Sequence, residues 1–189
     1  MKQAMTLNEK QLKIVLAHTA TRRHAARDRA IVMVSYLAGL RAKEIAALTI
    51  DNVRDETGMI REEFVLMPEQ TKGRKSRRVF LSTRLRKELH AYIKITKLHS
   101  RNLSLFQSQK GGSFSGNTMC QLFLDIYAAC GLDGASSHSG RRTLLTALAA
   151  KGVGVRVLQE IAGHSSIAVT QRYLDVNDAQ LRSAIELGY

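Results

Sequence analysis

The chain has 189 residues, 29 Lys and Arg against 16 Asp and Glu, a formal charge of +13, and 44% hydrophobic side chains. That length favours one domain and that apolar content supplies a core, which excludes wholesale disorder. No apolar run is long enough for a spanning helix, the N-terminus lacks a signal-peptide segment, and two cysteines make no disulfide scaffold, so a reducing, cytoplasmic compartment is expected.

Thr6 to Glu9 spells a capping box, and Leu12, Val15 and Leu16 share a face, which predicts a helix at about 7–18. A second helix runs from about 24 to 38, with Ile31, Val34 and Leu37 inward, and stops at Gly39. Arg41 follows, and AKEIAAL reads as a short helix. IDNV, MIREEFVLM and SRRVFLS predict three short strands, because β-branched and aromatic residues alternate with polar ones. PEQTKGRK joins the last two as a hairpin with Gly73 near its tip. Beyond residue 82 the helical period returns, with Leu85, Leu89, Tyr92 and Ile93 on one face. QSQKGGSFSGN is a loop by its Gly and Ser content. Helices follow at about 117–130, 139–151, 154–162, 166–173 and 178–187, and Cys120 and Cys130 are expected as buried free thiols. The fold class is therefore mainly α with a small antiparallel β-sheet (α+β), in one domain.

Charge is uneven along the chain. Residues 1–100 hold 21 Lys and Arg against 10 acids, and residues 72–87 hold eight basic side chains and no acid. A field of that kind suits a polyanion, and nucleic acid is the expected partner. The phosphate-binding GxxxxGK[ST], HExxH and paired CxxC are all missing, and carboxylates do not cluster, which disfavours a two-metal nuclease. The Arg, Lys, His and Tyr that remain suit metal-free phosphoryl transfer. Guanidinium groups can neutralise a phosphorane's oxygens, a Lys or His can move protons, and a Tyr can be the nucleophile.

Four segments carry this chemistry: GLRAKEIAAL with Arg41 and Glu44, TKGRK with Lys72, HSGRR with His138 and Arg141, and GHSSIAVTQRY with His164 and Tyr173. In this order they resemble the tyrosine recombinase (phage integrase) family, from Thr6 to about Leu187. The resemblance implies that family's catalytic-domain fold over residues 1–189, with a core at about 6–173 and a C-terminal helix or tail at 177–189. The N-terminal core-binding domain of most relatives is not expected here. Tyr173 would attack a DNA phosphodiester and form a 3′-phosphotyrosyl link. Arg41 and Arg141 would grip the phosphate, Lys72 would protonate the leaving 5′-oxygen, His138 would act in proton transfer, and His164 would hydrogen-bond a non-bridging oxygen. Glu44 would orient the site from behind. Arg74, Lys75, Arg77 and Arg142 are expected to contact DNA, and Lys75 competes with Lys72 for the catalytic role. Neither metal, ATP nor another cofactor is implied.

The implied partners are double-stranded DNA, further copies of the chain (a monomer or weak dimer free, a tetramer on paired sites) and accessory DNA-bending proteins. The tail would dock on a neighbouring subunit through Leu181, Ala184, Ile185 and Leu187. Three alternatives stand beside a recombinase: a DNA-binding regulator, a degenerate relict, or a type IB topoisomerase-like enzyme. VRVLQEIAGHSSIAVTQRYL superficially reads as helix-turn-helix, but Gln159 stands where a small residue usually precedes the turn.

Overall fold

Asn8 opens the first helix, α1 (Glu9–Ala20): its side chain accepts from the Gln11 backbone N–H, and the Gln11 side chain accepts from the Asn8 N–H. The expected box from Thr6 to Glu9 is displaced by two residues, because Asn is a stronger cap than Thr and Gln11 closes the reciprocal bond. The computed structural model describes residues 3–71, 73–96, 103–109, 111–173, 181–182 and 185–186.

The central helix is α2 (Ala25–Ala38). Its successive residues Ile31, Val32, Met33 and Val34 are all buried, so its middle is apolar on every side, and it packs on α1, on α5 (Thr83–Thr96) and on α7 (Ser139–Ala150). The crossing with α7 is close: a Cβ on Gly140 would stand 2.5 Å from Ser35 Oγ. Gly39 ends α2 with φ of 62°, a left-handed conformation that glycine adopts without a Cβ clash. The chain then turns into α3 (Ala42–Ala46), which packs on α6 (Gly116–Ala129).

IDNV forms a helical turn, α4 (Ile50–Val53), where a strand was expected. The Asn52 side chain accepts from the Thr49 N–H and hydroxyl, and Ile50 and Val53, three apart, are both buried. The local bonds and the shared face favour helix over the alternation read from the sequence. Two strands remain, β1 (Glu63–Leu66) and β2 (Arg77–Phe80), antiparallel with Glu63 opposite Phe80 and Leu66 opposite Arg77. Phe64, Leu66 and Val79 face the core. Between them a 3-10 turn at Pro68–Gln70 is pinned by Gln70 Nε2, which donates to Ala47 O and Asn52 Oδ1. Thr71 Oγ1 donates to Lys75 O across the tip.

The chain ends its described course with α8 (Val155–Ala162) and α9 (Ile167–Gln171). Two apolar clusters result. The larger spans α1 to α6, and a smaller one joins Leu145 and Ala149 of α7 to Leu158 and Ala162 of α8. Helix α7 carries the smaller cluster and packs on α2 of the larger one, and the polar residues discussed next lie where the two meet. Cys120 and Cys130 are free, but half-buried where full burial was expected, because Cys130 caps the end of α6 and Cys120 lies beside Ser137 Oγ at 3.4 Å. Leu181 and Ile185 of the tail are exposed, while Ala184 and Leu187 lie outside the described residues. No helix among the described residues is long and apolar enough to cross a membrane.

Candidate active site

Two helix ends meet here. Like α2, α8 stops at a left-handed glycine, Gly163, with φ of 59°. Its last carbonyls have no intrahelical donor and carry the negative end of the helix dipole. Three arginines from three elements take them in succession. Arg77 of β2 donates Nη1 to Ile161 O at 2.8 Å, Arg141 of α7 donates Nη2 to Ala162 O, and Arg41 donates Nη2 to Gly163 O at 3.3 Å. Arg141 also donates Nη1 to Gly39 O at 2.7 Å, so one guanidinium staples the end of α2 to the end of α8.

Glu44, fully buried on α3, is the counter-charge. Its Oε1 accepts from Arg41 Nη1 at 2.8 Å, and its Oε2 accepts from Arg77 Nη2 and from the Arg41 backbone N–H, each at 2.8 Å. Burial pushes the carboxyl up, but Arg77's charge and the Arg41 N–H outweigh it and hold Glu44 below the usual carboxylate range. Burial, then the charge of Arg41, draws Arg141 below the ordinary guanidinium value, yet it remains a cation at neutral pH. Three guanidiniums and one carboxylate leave two positive charges in excess at a partly enclosed surface, which suits a phosphate.

His164 sits beside this group. Its Nε2 lies 2.9 Å from Arg141 Nη2 and its Nδ1 lies 2.9 Å from Thr170 Oγ1. Arginine offers only donors, so Nε2 accepts, Nδ1 carries the proton, and the ring is neutral. Burial and the charges of Arg141, Arg41 and Arg77 lower its pKa to about 4. The Tyr173 ring stacks on it, with centroids 5.8 Å apart and planes 16° off parallel. Tyr173 is half-buried at the edge of the smaller cluster, and its N–H donates to Thr170 O.

Arg41, Glu44, Arg141, His164 and Tyr173 are thus brought together, while His138 lies exposed at the N-cap of α7, one turn before Arg141. Lys72 lies outside the described residues. Its neighbours Thr71 and Gly73 line, with Arg41, Lys75, Gly163, His164 and Val169, an open cavity of about 690 Å³. Arg74 and Lys75 are exposed on the hairpin. Two residues expected on the DNA face are turned inward. Arg77 is spent on Glu44 and the end of α8, because it shares a strand face with buried Val79. Arg142 Nη1 donates to Ala4 O and holds the N-terminal segment, because it leaves α7 on the side where residues 4–7 run past it.

Sequence reasoning missed Arg77 as a member of the site, and also Thr170 and the role of Gly163. A Cβ on Gly163 would stand 2.4 Å from Arg77 Cδ, so only glycine admits that arginine. The alternation Arg77, Val79, Leu81 was the available signal for the first, and Thr170 at one helical turn before Tyr173 for the second.

Comparison with known proteins places these residues in context. The model of the phage integrase family matches residues 5–180. A tyrosine recombinase XerA of Pyrococcus horikoshii is 31% identical over 161 residues, covering 85% of this chain and 54% of that protein. A tyrosine recombinase XerC of Lactobacillus leichmannii is 30% identical over 157 residues, covering 80% and 51%. The chain spans about half the length of these curated relatives. Among solved structures, a XerA recombinase superposes with a TM-score of 0.75 at 26% identity over 99% of this chain and 66% of that one. The catalytic domain of bacteriophage HP1 integrase shares the fold with a TM-score of 0.66 at 22% identity over 97% and 95%.

Proposed function

The chain belongs to the phage integrase family, and from that premise we propose that it cleaves and rejoins duplex DNA at specific sites through a 3′-phosphotyrosyl intermediate. One observation carries the reading: three guanidiniums and a single buried carboxylate are gathered beside the His164–Tyr173 stack, the charge and the nucleophile that a phosphodiester transfer needs. Tyr173 Oη attacks phosphorus and gives up its proton, with His138 as the acceptor. The bond from phosphorus to the 5′-oxygen breaks, and Lys72 protonates that oxygen. In the return step a 5′-hydroxyl attacks the phosphotyrosine and the phenol leaves, so the linkage energy is kept and no ATP is consumed. The reaction runs without a metal, because the guanidiniums supply the cationic charge and both oxygens of Glu44 are committed to arginines. Arg74 and Lys75 meet the DNA backbone.

The exposed Leu181 and Ile185 favour docking of the tail on a second copy, which gives a monomer or weak dimer free and a tetramer on paired sites, with DNA-bending proteins as accessories. The cell compartment is the cytoplasm, at the nucleoid.

The test is a nicked duplex built from DNA flanking the gene, on which attack traps the covalent complex. Wild type forms a denaturation-resistant adduct with or without chelator, and Tyr173→Phe forms none while keeping its stability and DNA affinity. A bridging 5′-phosphorothiolate, whose sulfur leaves unprotonated, rescues Lys72→Ala and not Lys75→Ala. An adduct on Tyr173→Phe, or loss of activity on chelation restored by added metal, refutes the mechanism.

A further inference from the structure

We propose that Gln159 is a positioning residue: its side-chain amide clips the turn that ends α8 and so aims the carbonyls of Ile161, Ala162 and Gly163 at the three arginines of the site. Its effect on rate rests on the phosphotyrosine reading, but the clip is a property of the chain without DNA. The turn is a helix C-cap of the two-bond kind, in which His164 N–H donates to Gln159 O at 3.2 Å and Gly163 N–H donates to Glu160 O at 3.0 Å. In such caps an apolar contact frequently joins the first and last residues of the turn. Here a hydrogen bond spans the same two residues, because Gln159 Nε2 donates to His164 O at 3.0 Å. Gln159 and His164 are therefore joined twice, by backbone and by side chain, and residues 160–163 lie in the closed loop between them.

The carbonyls of that loop are the ones the arginines take. Ile161 O accepts from Arg77, Ala162 O from Arg141 and Gly163 O from Arg41. Gly163 is left-handed, so the direction of its carbonyl depends on what holds the chain beyond it, and the next carbonyl along is the one that Gln159 grips. At the other helix end of the site, Ser35 precedes Gly39 by the interval at which Gln159 precedes Gly163, and Ser35 Oγ has no partner among the described residues. The clip is therefore particular to α8. Gln159 also carries a penalty that a purely structural residue avoids: its Oε1 is shielded from water and has no partner among the described residues. Methionine has the same length, removes that orphan oxygen and offers no donor. Asparagine keeps the amide and is one methylene too short to reach His164 O.

The experiment measures hydrogen exchange by NMR, melting temperature and DNA affinity on the full chain for wild type, Gln159→Met and Gln159→Asn. Covalent-complex formation on the nicked duplex is timed in parallel at saturating protein. In wild type one Gln159 side-chain proton should exchange about tenfold more slowly than those of exposed Asn117. In both variants the His164 N–H should exchange about tenfold faster, the loss of one hydrogen bond, with the core of α2 unchanged. Gln159→Met should melt within about 3 °C of wild type, because the lost bond and the removed orphan oxygen offset each other. Adduct formation should slow about tenfold in both variants with DNA affinity unchanged, as expected where guanidiniums are misaimed at a developing charge. Wild-type Gln159 protons that exchange like those of Asn117 overturn the clip even if neither variant folds. A folded Gln159→Met with wild-type exchange at His164 overturns it too. Fast exchange at His164 with a wild-type rate of adduct formation overturns the positioning role, and so does a rate loss matched by an equal loss of DNA affinity. Failure of the wild type to form any adduct would refute the activity reading instead, and the exchange rates would still decide the clip.

Discussion

Replacing Glu44 with Gln isolates charge from shape. Glutamine keeps an amide oxygen for the Arg41 N–H and fills the same volume, but Arg41, Arg77 and Arg141 lose the one carboxylate among them. Glu44 is fully buried and the Arg77 side chain is only 10% exposed, so water cannot replace the lost charge. Breaking a buried pair of this kind costs about 3–5 kcal/mol. In a domain of this size each kcal/mol moves the melting temperature by about 2–4 °C, so Glu44→Gln should melt roughly 6–20 °C below wild type. The comparison is Glu62→Gln, which breaks a surface pair with Arg86 where Glu62 is 82% exposed, and should shift stability by less than about 0.5 kcal/mol.

The same substitution leaves three positive charges in excess instead of two, so the variant should gain more from an added anion than wild type does. An anion at ten times its Kd stabilises the state it binds by about 1.4 kcal/mol, and a sulfate titration followed by differential scanning fluorimetry reads the difference. If Glu44→Gln melts within 2 °C of wild type, Glu44 is not the counter-charge of the cluster. If sulfate raises both proteins equally, the excess charge does not act as an anion site.

Gly163→Ala needs a left-handed alanine and puts a Cβ 2.4 Å from Arg77 Cδ, so it should cost about 2 kcal/mol or more in urea unfolding and weaken sulfate binding as Arg77 is displaced. The His164 pKa is lowered from 6.5 to about 4, so its contribution to stability is fully present above pH 6.5. Below that value the unfolded chain binds a proton that the folded chain refuses, and stability falls until about pH 4. Urea melts at pH 7 and pH 4 should show a loss of about 2–3 kcal/mol in wild type beyond that in His164→Gln, and equal losses would refute the assignment.

What the sequence disclosed was local. Gly39 followed by Arg41 and Glu44, the H-x-x-R of His138 and Arg141, and the spacing from His164 to Tyr173 are each short-range patterns, contained in ten residues of chain or fewer. The helices were legible for the same reason, since their apolar period runs through each segment. IDNV misled because two β-branched residues around two polar ones fit a short strand as well as a helical turn, and the Asn52 bonds to Thr49 and the shared burial of Ile50 and Val53 decide between them. Arg77 was hidden by its company. In a run of eight basic side chains composition assigns every one to solvent, and the direction of this one depends on the pleat of β2 and on a missing Cβ at Gly163, far along the chain. Thr170 carried no signal of its own beyond its place on the turn before Tyr173.

The distribution of these contacts bears on how the site works. Arg141 has one foot on Gly39, between Ala38 and Leu40 of the larger cluster, and the other on Ala162, in the smaller one. Arg77 and Arg41 cross the same boundary, through Ile161 and Gly163. The cationic site is therefore also the polar fastening between the helices around α2 and the short helices α8 and α9 that carry His164 and Tyr173. Helix carbonyls satisfy the guanidiniums as donors but neutralise little of their charge, and one carboxylate offsets only one of three. Under the proposed function a bound phosphodiester would offset one of the two remaining charges at the point where the two parts are joined. On that reading binding and alignment of Tyr173 would be one event: an anion that lowers the repulsion among Arg41, Arg77 and Arg141 would strengthen the arrangement that holds the imidazole, on which the Tyr173 ring is stacked.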